Sequence, residues 1–370
     1  MRSDVPIGTA LSGGVDSSAT ISVMAYLGKG GTEARMGRSW QHAFVASFPQ
    51  TPLDEAKYAR MVADHIGIDA TFIVINPLDA MSKLDEYFYL FEDLYITSPI
   101  PFMLTYMAVK AHGISVTLDG HGADELFGGY FNDYILALRD VGWNVRQAYE
   151  IVDAYFAAYP KCTSQFAMLP SRTRYIAEHH ARRLARRFVR RSPGLVSKDA
   201  NHHAFKELGH LNRQLYIATH ETTLPTLLRN YDRYSMANGV EIRMPFLDHR
   251  ILSFAFSLPW NSKIHGGYSK AIIRDAMSPF LPHDVVYRRD KVGFNSPIVD
   301  WMKGPLKGFM LDSIHSRAFK ECTVIDADMV AKAIRHVIDD PHAKFYEGEQ
   351  AWTMLMPYLW EQAVLNRRVV

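Results

Sequence analysis

Residues able to do chemistry crowd near the start of the chain, in Ala10-Leu11-Ser12-Gly13-Gly14-Val15-Asp16-Ser17-Ser18. Two adjacent glycines let a backbone turn sharply and let an oxyanion approach main-chain N–H groups with no Cβ in the way. Ser12, Ser17 and Ser18 add hydroxyl donors, and Asp16 is placed to hold a magnesium ion bridging phosphate oxygens. The amphipathic run Ala19 to Leu27 follows at once, so a helix N-terminus adds unpaired donors and partial positive charge. The string is not a Walker A loop, which needs a lysine after its last glycine. The competing reading is a Gly-Gly turn capped by serines.

Three later segments carry the remaining candidates. Leu118-Asp119-Gly120-His121-Gly122-Ala123-Asp124-Glu125-Leu126-Phe127-Gly128-Gly129-Tyr130 is rich in glycine and acid. Asp124 there can supply a second magnesium carboxylate, or the acids can complement a helix N-terminus. Asp232-Arg233-Tyr234 leads into Glu241-Ile242-Arg243-Met244-Pro245-Phe246-Leu247-Asp248, where Glu241 and Arg243 are either a positioning device or a structural ion pair. Gly266-Gly267-Tyr268-Ser269-Lys270-Ala271-Ile272-Ile273-Arg274 places Lys270 and Arg274 one helical turn apart. Lys270 can stabilise charge developing on an α-phosphate. Arg289, Lys291, Gly293 and Phe294 form a last basic turn.

The elements that must position these residues alternate through the first third. Ile7 to Leu11, His42 to Phe48, Thr71 to Ile75 and Ser115 to Leu118 read as buried strands. Between them, Asp54 to Ile66 has apolar residues on one face and Gly67 after its end, and Pro101 to His112 is closed by Gly113. Such alternation means an α/β fold with a parallel sheet and helices on both faces. Ligands then lie beyond the carboxyl ends of the strands, so the loops after Leu11, Val45 and Leu118 should meet in one site. Beyond about Ala137 strand signals fade, and Gln147 to Ala158, Arg172 to Val189 and Lys206 to Thr219 look helical. The expected organisation is an α/β core over residues 1–136 and a mainly helical part over 137–370 that completes the site.

Composition narrows the class. The 370 residues are 48% hydrophobic and 22% charged, with net charge +2, an ordinary globular balance with no overall pull towards nucleic acid or membrane. Cys162 and Cys322 stand far apart with no Cys-x-x-Cys, against a disulfide framework or zinc ribbon. The 16 histidines never fall at metal-ligand spacing. No run is long enough to span a bilayer, and no basic-then-apolar leader is present, so a cytoplasmic enzyme is expected. The arginines of His179 to Arg191 suit a solvated helix face, since nothing aromatic interleaves them for stacking on bases.

Ser-Gly-Gly-x-Asp-Ser resembles the PP-loop of ATP pyrophosphatases. Together with the Gly-Ala-Asp-Glu-Leu-Phe-Gly-Gly-Tyr string, Glu-x-Arg-x-Pro-Phe-Leu-Asp and Ser-Lys-x-x-x-Arg, in that order, it is similar to the synthetase domain of the asparagine synthetase family over nearly the whole chain. The resemblance implies an adenine-nucleotide-hydrolase-like fold that turns ATP into AMP and pyrophosphate and makes an amide through an acyl-adenylate. It implies that Leu11, Ser12, Gly13, Gly14, Asp16, Ser17, Ser18 and Gly120 hold the nucleotide, with Ser47 near the adenine. Asp16 and Asp124 would hold magnesium, Lys270 matches the catalytic lysine, and Asp232, Glu241 and Arg243 fall in the family's motif.

Two departures bear on the substrate. His121 stands where asparagine synthetases often have a glutamate, and it can act as base on the incoming amine. Glu92 to Ser98 lacks an arginine that some place near the acceptor acid. The family's N-terminal glutaminase domain is absent from the sequence. Ammonia is therefore expected from solution, a separate glutaminase or a domain missing here, and a homodimer is left open. Aspartate is the first substrate expected. Lactam or isopeptide closure, as in the related β-lactam synthetases and lasso-peptide cyclases, is the alternative, and a tRNA-modifying enzyme or a non-catalytic partner stands behind it.

Overall fold

The computed structural model describes residues 5–29, 41–94, 98–158, 208–289, 293 and 295–367. Cys162, Lys291, Phe294, the expected helix from Arg172 to Val189 and the arginine-rich stretch lie outside the described residues, as do residues 95–97 of the expected acceptor segment.

Five parallel strands form one sheet in the order β3-β2-β1-β4-β5. They are β1 (Ile7–Ala10), β2 (Gln41–Ser47), β3 (Ala70–Val74), β4 (Val116–Leu118) and β5 (Glu241–Arg243). Ile7 lies opposite both Gln41 and Val116, and Leu118 lies opposite Arg243. Ala43, Phe44 and Val45 are consecutive and all buried, as a parallel strand covered on both faces requires. The first four strands match the expected ones to within a residue or two at each end. The fold is therefore an α/β PP-loop core with a largely helical C-terminal half.

Sequence pattern explains the intervening helices. In the helix Ala56–Ile66 the residues Ala59, Val62, Ala63 and Ile66 recur at three- and four-residue spacing and are the buried ones. It closes at Gly67, whose φ of 73° is left-handed and whose N–H returns to the Ala63 carbonyl. Helix Ile100–Ala111 is buried along almost its whole first half, so it is an interior helix and not a surface one.

The chain divides into two compact units. The first comprises Met1–Asp119, Leu227–Arg243 and Val292–Val370, and the second Gly120–Thr226 and Met244–Lys291. The boundary expected between residues 136 and 137 falls inside helix Phe131–Asp140 of the second unit. In the first unit, C-terminal helices bring Trp301, Met302, Trp352 and Leu355 into one core with Phe44, Phe88 and Met103. Each large side chain removed from water there contributes about 2–3 kcal/mol. The second unit has its own core, in which Tyr134, Leu138, Ile151, Leu211, Leu215 and Ile264 pack together. A two-stranded ribbon, Ile264–His265 paired with Tyr268–Ser269, turns through Gly266 and Gly267, both at positive φ.

The fading of strand signals beyond Ala137 needs one correction, because β5 comes from Glu241–Arg243. Three residues are too short to show a period, and a neighbour in space, β4, defines the strand.

The carboxyl ends of β1, β4 and β5 are tied by Asp119. Its Oδ1 accepts the Ala10 N–H at 2.9 Å, and its Oδ2 accepts the Thr117 and Tyr106 hydroxyls at 3.2 Å each. Its own N–H donates to the Arg243 carbonyl at 2.9 Å. Burial raises the Asp119 carboxyl from its ordinary 3.8 to about 6, with those three donors working against the shift. The folded state thus holds the proton more tightly than the unfolded chain. That contribution to stability is complete below the unfolded value and lost as pH rises through the folded one. Asp119→Asn keeps an oxygen for Ala10 but has no proton to exchange. Its urea-denaturation deficit relative to the parent chain should therefore shrink by about 2 kcal/mol between about pH 4.5 and 7. A deficit that stays flat over that interval would show that the buried carboxyl is ionised throughout.

Candidate active site

In the first unit the site begins where β1 ends. Leu11 is buried and continues the ladder by donating its N–H to the Phe44 carbonyl at 2.8 Å. Ser12, Gly13 and Gly14 then turn the chain into the 15-residue helix Val15–Lys29. The serines shape the turn themselves. Ser12 N donates to Ser17 Oγ at 3.2 Å, the two hydroxyls lie 3.1 Å apart, and Gly14 N donates to Ser12 Oγ at 3.2 Å. The Ser18 hydroxyl is buried and has no hydrogen-bond partner among the described residues. Asp16 sits in the first turn of the helix. The order of strands reverses between β1 and β4, so this loop and Asp119 lie at the switch point of the sheet, where such folds bind ligands.

The two glycines have different reasons to be there. Gly13 has φ +77°, and a Cβ on it would lie 2.6 Å from Ala59 N and 2.7 Å from Tyr58 Cβ. It is needed for close packing against the helix Ala56–Ile66 as well as for the turn. A Cβ on Gly14 would meet only Ser12 Oγ, at 3.2 Å.

Other candidates of this unit are placed as follows. Ser47 ends β2, and its hydroxyl donates to Asp54 Oδ1 at 3.1 Å, an atom that also accepts Phe48 N and Ala56 N. Asp232 is exposed on helix Thr223–Met236. Glu241 and Arg243 share one face of β5 and pair with each other, Nε to Oε1 at 2.8 Å, both well exposed. Each holds the other's charge: Glu241 is pushed down by Arg243, and Arg243 is pushed up by Glu241.

In the second unit, Gly120, His121 and Gly122 lead into the short helix Ala123–Phe127. Lys270 Nζ lies 2.7 Å from Asp124 Oδ1, with the lysine side chain only 6% exposed. Close packing fixes the pair. A Cβ on Gly129 would fall 1.5 Å from Asp124 Oδ1 and 2.6 Å from Lys270 Cε. Lys270 itself has φ 52°, a left-handed backbone that a non-glycine residue adopts at a cost of about 1–2 kcal/mol. Beside it, Glu125 is buried and accepts the Tyr130 hydroxyl. Burial pushes its carboxyl up, and the neighbouring Asp124 adds to this. A histidine in water would carry an ordinary imidazole value. Burial instead pushes His121 down to about 4, with Asp124 opposing, so the ring is neutral at physiological pH.

Among the described residues no group of three or more His, Cys, Asp or Glu is placed to hold a metal. Asp124 faces a cation, the Lys270 ammonium, and its carboxylate oxygens are donors of the kind that would hold magnesium. No described helix is long and apolar enough to cross a membrane. Asp119, Gly129 and Arg274 were not singled out from the sequence as site residues. A strand-ending Asp-Gly, a doubled glycine and a Lys-x-x-x-Arg spacing were their only signals.

Sheet order, loop and switch point define a nucleotide-binding α/β domain of the PP-loop kind. The chain belongs to the asparagine synthase family, whose model matches residues 1–362. It is 28% identical over 386 aligned positions to asparagine synthetase [glutamine-hydrolyzing] 1 of Bacillus subtilis (strain 168), covering 100% of this chain and 58% of that protein. Against asparagine synthetase [glutamine-hydrolyzing] 3 of the same organism the identity is 27%, over 78% of this chain and 44% of the relative. Amidase chry2 of Gibberella zeae is 26% identical, over 83% of this chain and 51% of its own length. The chain thus spans about half the length of these relatives.

Two outcomes test this geometry. Gly13→Ala should cost about 2–4 kcal/mol in chemical denaturation, and Gly14→Ala less than about 1 kcal/mol; equal costs would contradict the packing of Gly13 on the helix beside it. For His121, a carbon-bound ring proton assigned with His121→Gln should not shift between about pH 5.5 and 8. An inflection near an ordinary imidazole value would place the ring in water.

Proposed function

We propose that this chain makes amide bonds at the expense of ATP, releasing AMP and pyrophosphate through an acyl-adenylate, with aspartate converted to asparagine as the first reading. The observation that carries it is the Ser12–Ser18 turn at the switch point of the sheet, in a chain of this family. A carboxylate is a poor electrophile, so it attacks the α-phosphorus and gains a leaving group. The Ser12–Ser18 turn, with Leu11 at its start, holds the pyrophosphate, Ser47 and Gly120 border the nucleotide, and Asp16 and Asp124 are the carboxylates assigned to magnesium. When bound, that ion neutralises charge on the leaving group. Lys270 stabilises charge on the α-phosphate. Neutral His121 accepts a proton from the attacking amine, and Asp232, Glu241 and Arg243 orient the site from the family's motif. Ammonia comes from a glutaminase domain or subunit, and the reaction takes place in the cytoplasm.

A second reading, amide formation on another carboxylate, is favoured by one observation: relatives of similar identity include proteins named as amidases. Product chromatography with ATP, magnesium, aspartate and ammonia separates the outcomes. AMP and pyrophosphate should accumulate, and Asp16→Asn and Asp124→Asn should each slow their formation at least ~100-fold at unchanged melting temperature. Accumulation of ADP would remove the assignment. AMP formed only with other acids would replace aspartate as substrate.

A further inference from the structure

Arg274 lies one helical turn beyond Lys270, in the last turn of the helix Ala271–Met277. Its guanidinium donates to backbone carbonyls on two sides. Nε reaches the Ser269 carbonyl at 2.8 Å, immediately before Lys270. Nη1 reaches the carbonyls of Val286 and of Arg288, the latter at 3.0 Å. Its carbon Cζ also lies 5.3 Å from the centre of the Tyr268 ring, and Arg289 Cζ lies 5.1 Å from the same ring. One aromatic side chain on the ribbon thus serves two guanidinium groups.

These contacts converge on a backbone that is strained. Lys270 is held at positive φ, and the N–H groups of Ile273 and Arg274 both return to its carbonyl, at 2.9 and 3.1 Å. A left-handed lysine persists only where its surroundings over-determine it. The grip on Ser269 fixes the residue before it, and the returning amides fix the residue itself. The same guanidinium holds the carbonyls of Val286 and Arg288, next to Arg289.

We infer that Arg274 is a positioning residue: it holds the strained Lys270 backbone so that the ammonium lies on Asp124, and it fixes the Arg288–Arg289 segment beside it. It acts through the backbone carbonyls of Ser269, Val286 and Arg288. A lysine cannot replace it, because one ammonium cannot span carbonyls on both sides as a planar fork does. The inference deepens the role proposed for Lys270, but the geometry it concerns is measurable without any reaction.

Acetic anhydride labelling of the full chain, read by peptide mass spectrometry, tests it. Lys263 is the internal control, being fully buried and bonded to Asn212 Oδ1 at 2.5 Å in the same unit. Arg274→Met should raise acetylation of Lys270 at least ~10-fold, about the effect of losing one charged hydrogen bond, and leave Lys263 protected. Arg274→Lys should behave as Arg274→Met. Tyr268→Leu keeps the carbonyl contacts and removes the ring, and should raise Lys270 labelling by about threefold. If Arg274→Met does not fold, this variant decides alone, and unchanged Lys270 labelling in it overturns the inference. Protection of Lys270 in Arg274→Met, full rescue by lysine, or labelling of Lys263 in step with Lys270 also overturns it. ATP–pyrophosphate exchange supplies a second arm, in which Arg274→Met should add no loss on a Lys270→Met background; equal losses on both backgrounds overturn it. Exchange absent from the parent chain refutes the proposed function and leaves the labelling result standing.

Discussion

A single buried carboxyl holds the working edge of the sheet. Strands β1, β4 and β5 come from distant parts of the chain, and two of them have only three residues each. So short a strand has little ladder of its own to fix its end. Asp119 supplies what the ladder lacks, accepting from Ala10 at the end of β1 and donating its N–H to Arg243 at the end of β5. The loop that begins at Leu11 therefore starts from a fixed point. Its serines then shape the turn by bonding to one another, the chain ahead of them being held by the Ala10 and Leu11 N–H bonds.

Close approach of backbone to side chain is the second constraint, and both units use it. At Gly13 a Cβ would strike the backbone of the neighbouring helix, and at Gly129 it would strike the Asp124–Lys270 pair. At Gly122 it would lie 2.3 Å from Leu247 Cδ2. None of these contacts is between chemical groups that react. They set the positions of the groups around them, and a methyl group at any of them would move a carboxylate, an ammonium or a loop.

Much of this was legible in the sequence, for physical reasons that are local. Strands β1 to β4 announce themselves as short apolar runs ended by glycine, proline or a helix start. The turn at Ser12–Ser18 is a contiguous string, so its position at the end of β1 followed from reading order alone. What could not be read depends on neighbours in space. A three-residue β5 has no period of its own, and the C-terminal helices share a core with Phe44 and Met103 only because the chain returns there. The purpose of Gly13 was half visible: a turn could be expected, but contact with Tyr58 and Ala59 could not. Glu241 and Arg243 were left between two readings, and alternation along a strand, which puts i and i+2 on one face, makes them partners. The shift of His121 was illegible because it comes from burial, which spacing does not reveal.

That burial also organises the charge around Lys270. Desolvation disfavours the ionised form of any group, raising acids and lowering imidazoles. In the turn of the second unit it pushes Glu125 up and His121 down, so both lean towards their neutral forms. Tyr130 donates to the Glu125 carboxyl, which satisfies it without adding a charge. Asp124 and Lys270 meet at 2.7 Å. An ion pair in such surroundings is worth little as a source of stability, since its desolvation offsets much of its attraction. It is well suited to exchange. Any anion brought to the ammonium meets a buried group held close to a carboxylate that is itself partly open to water.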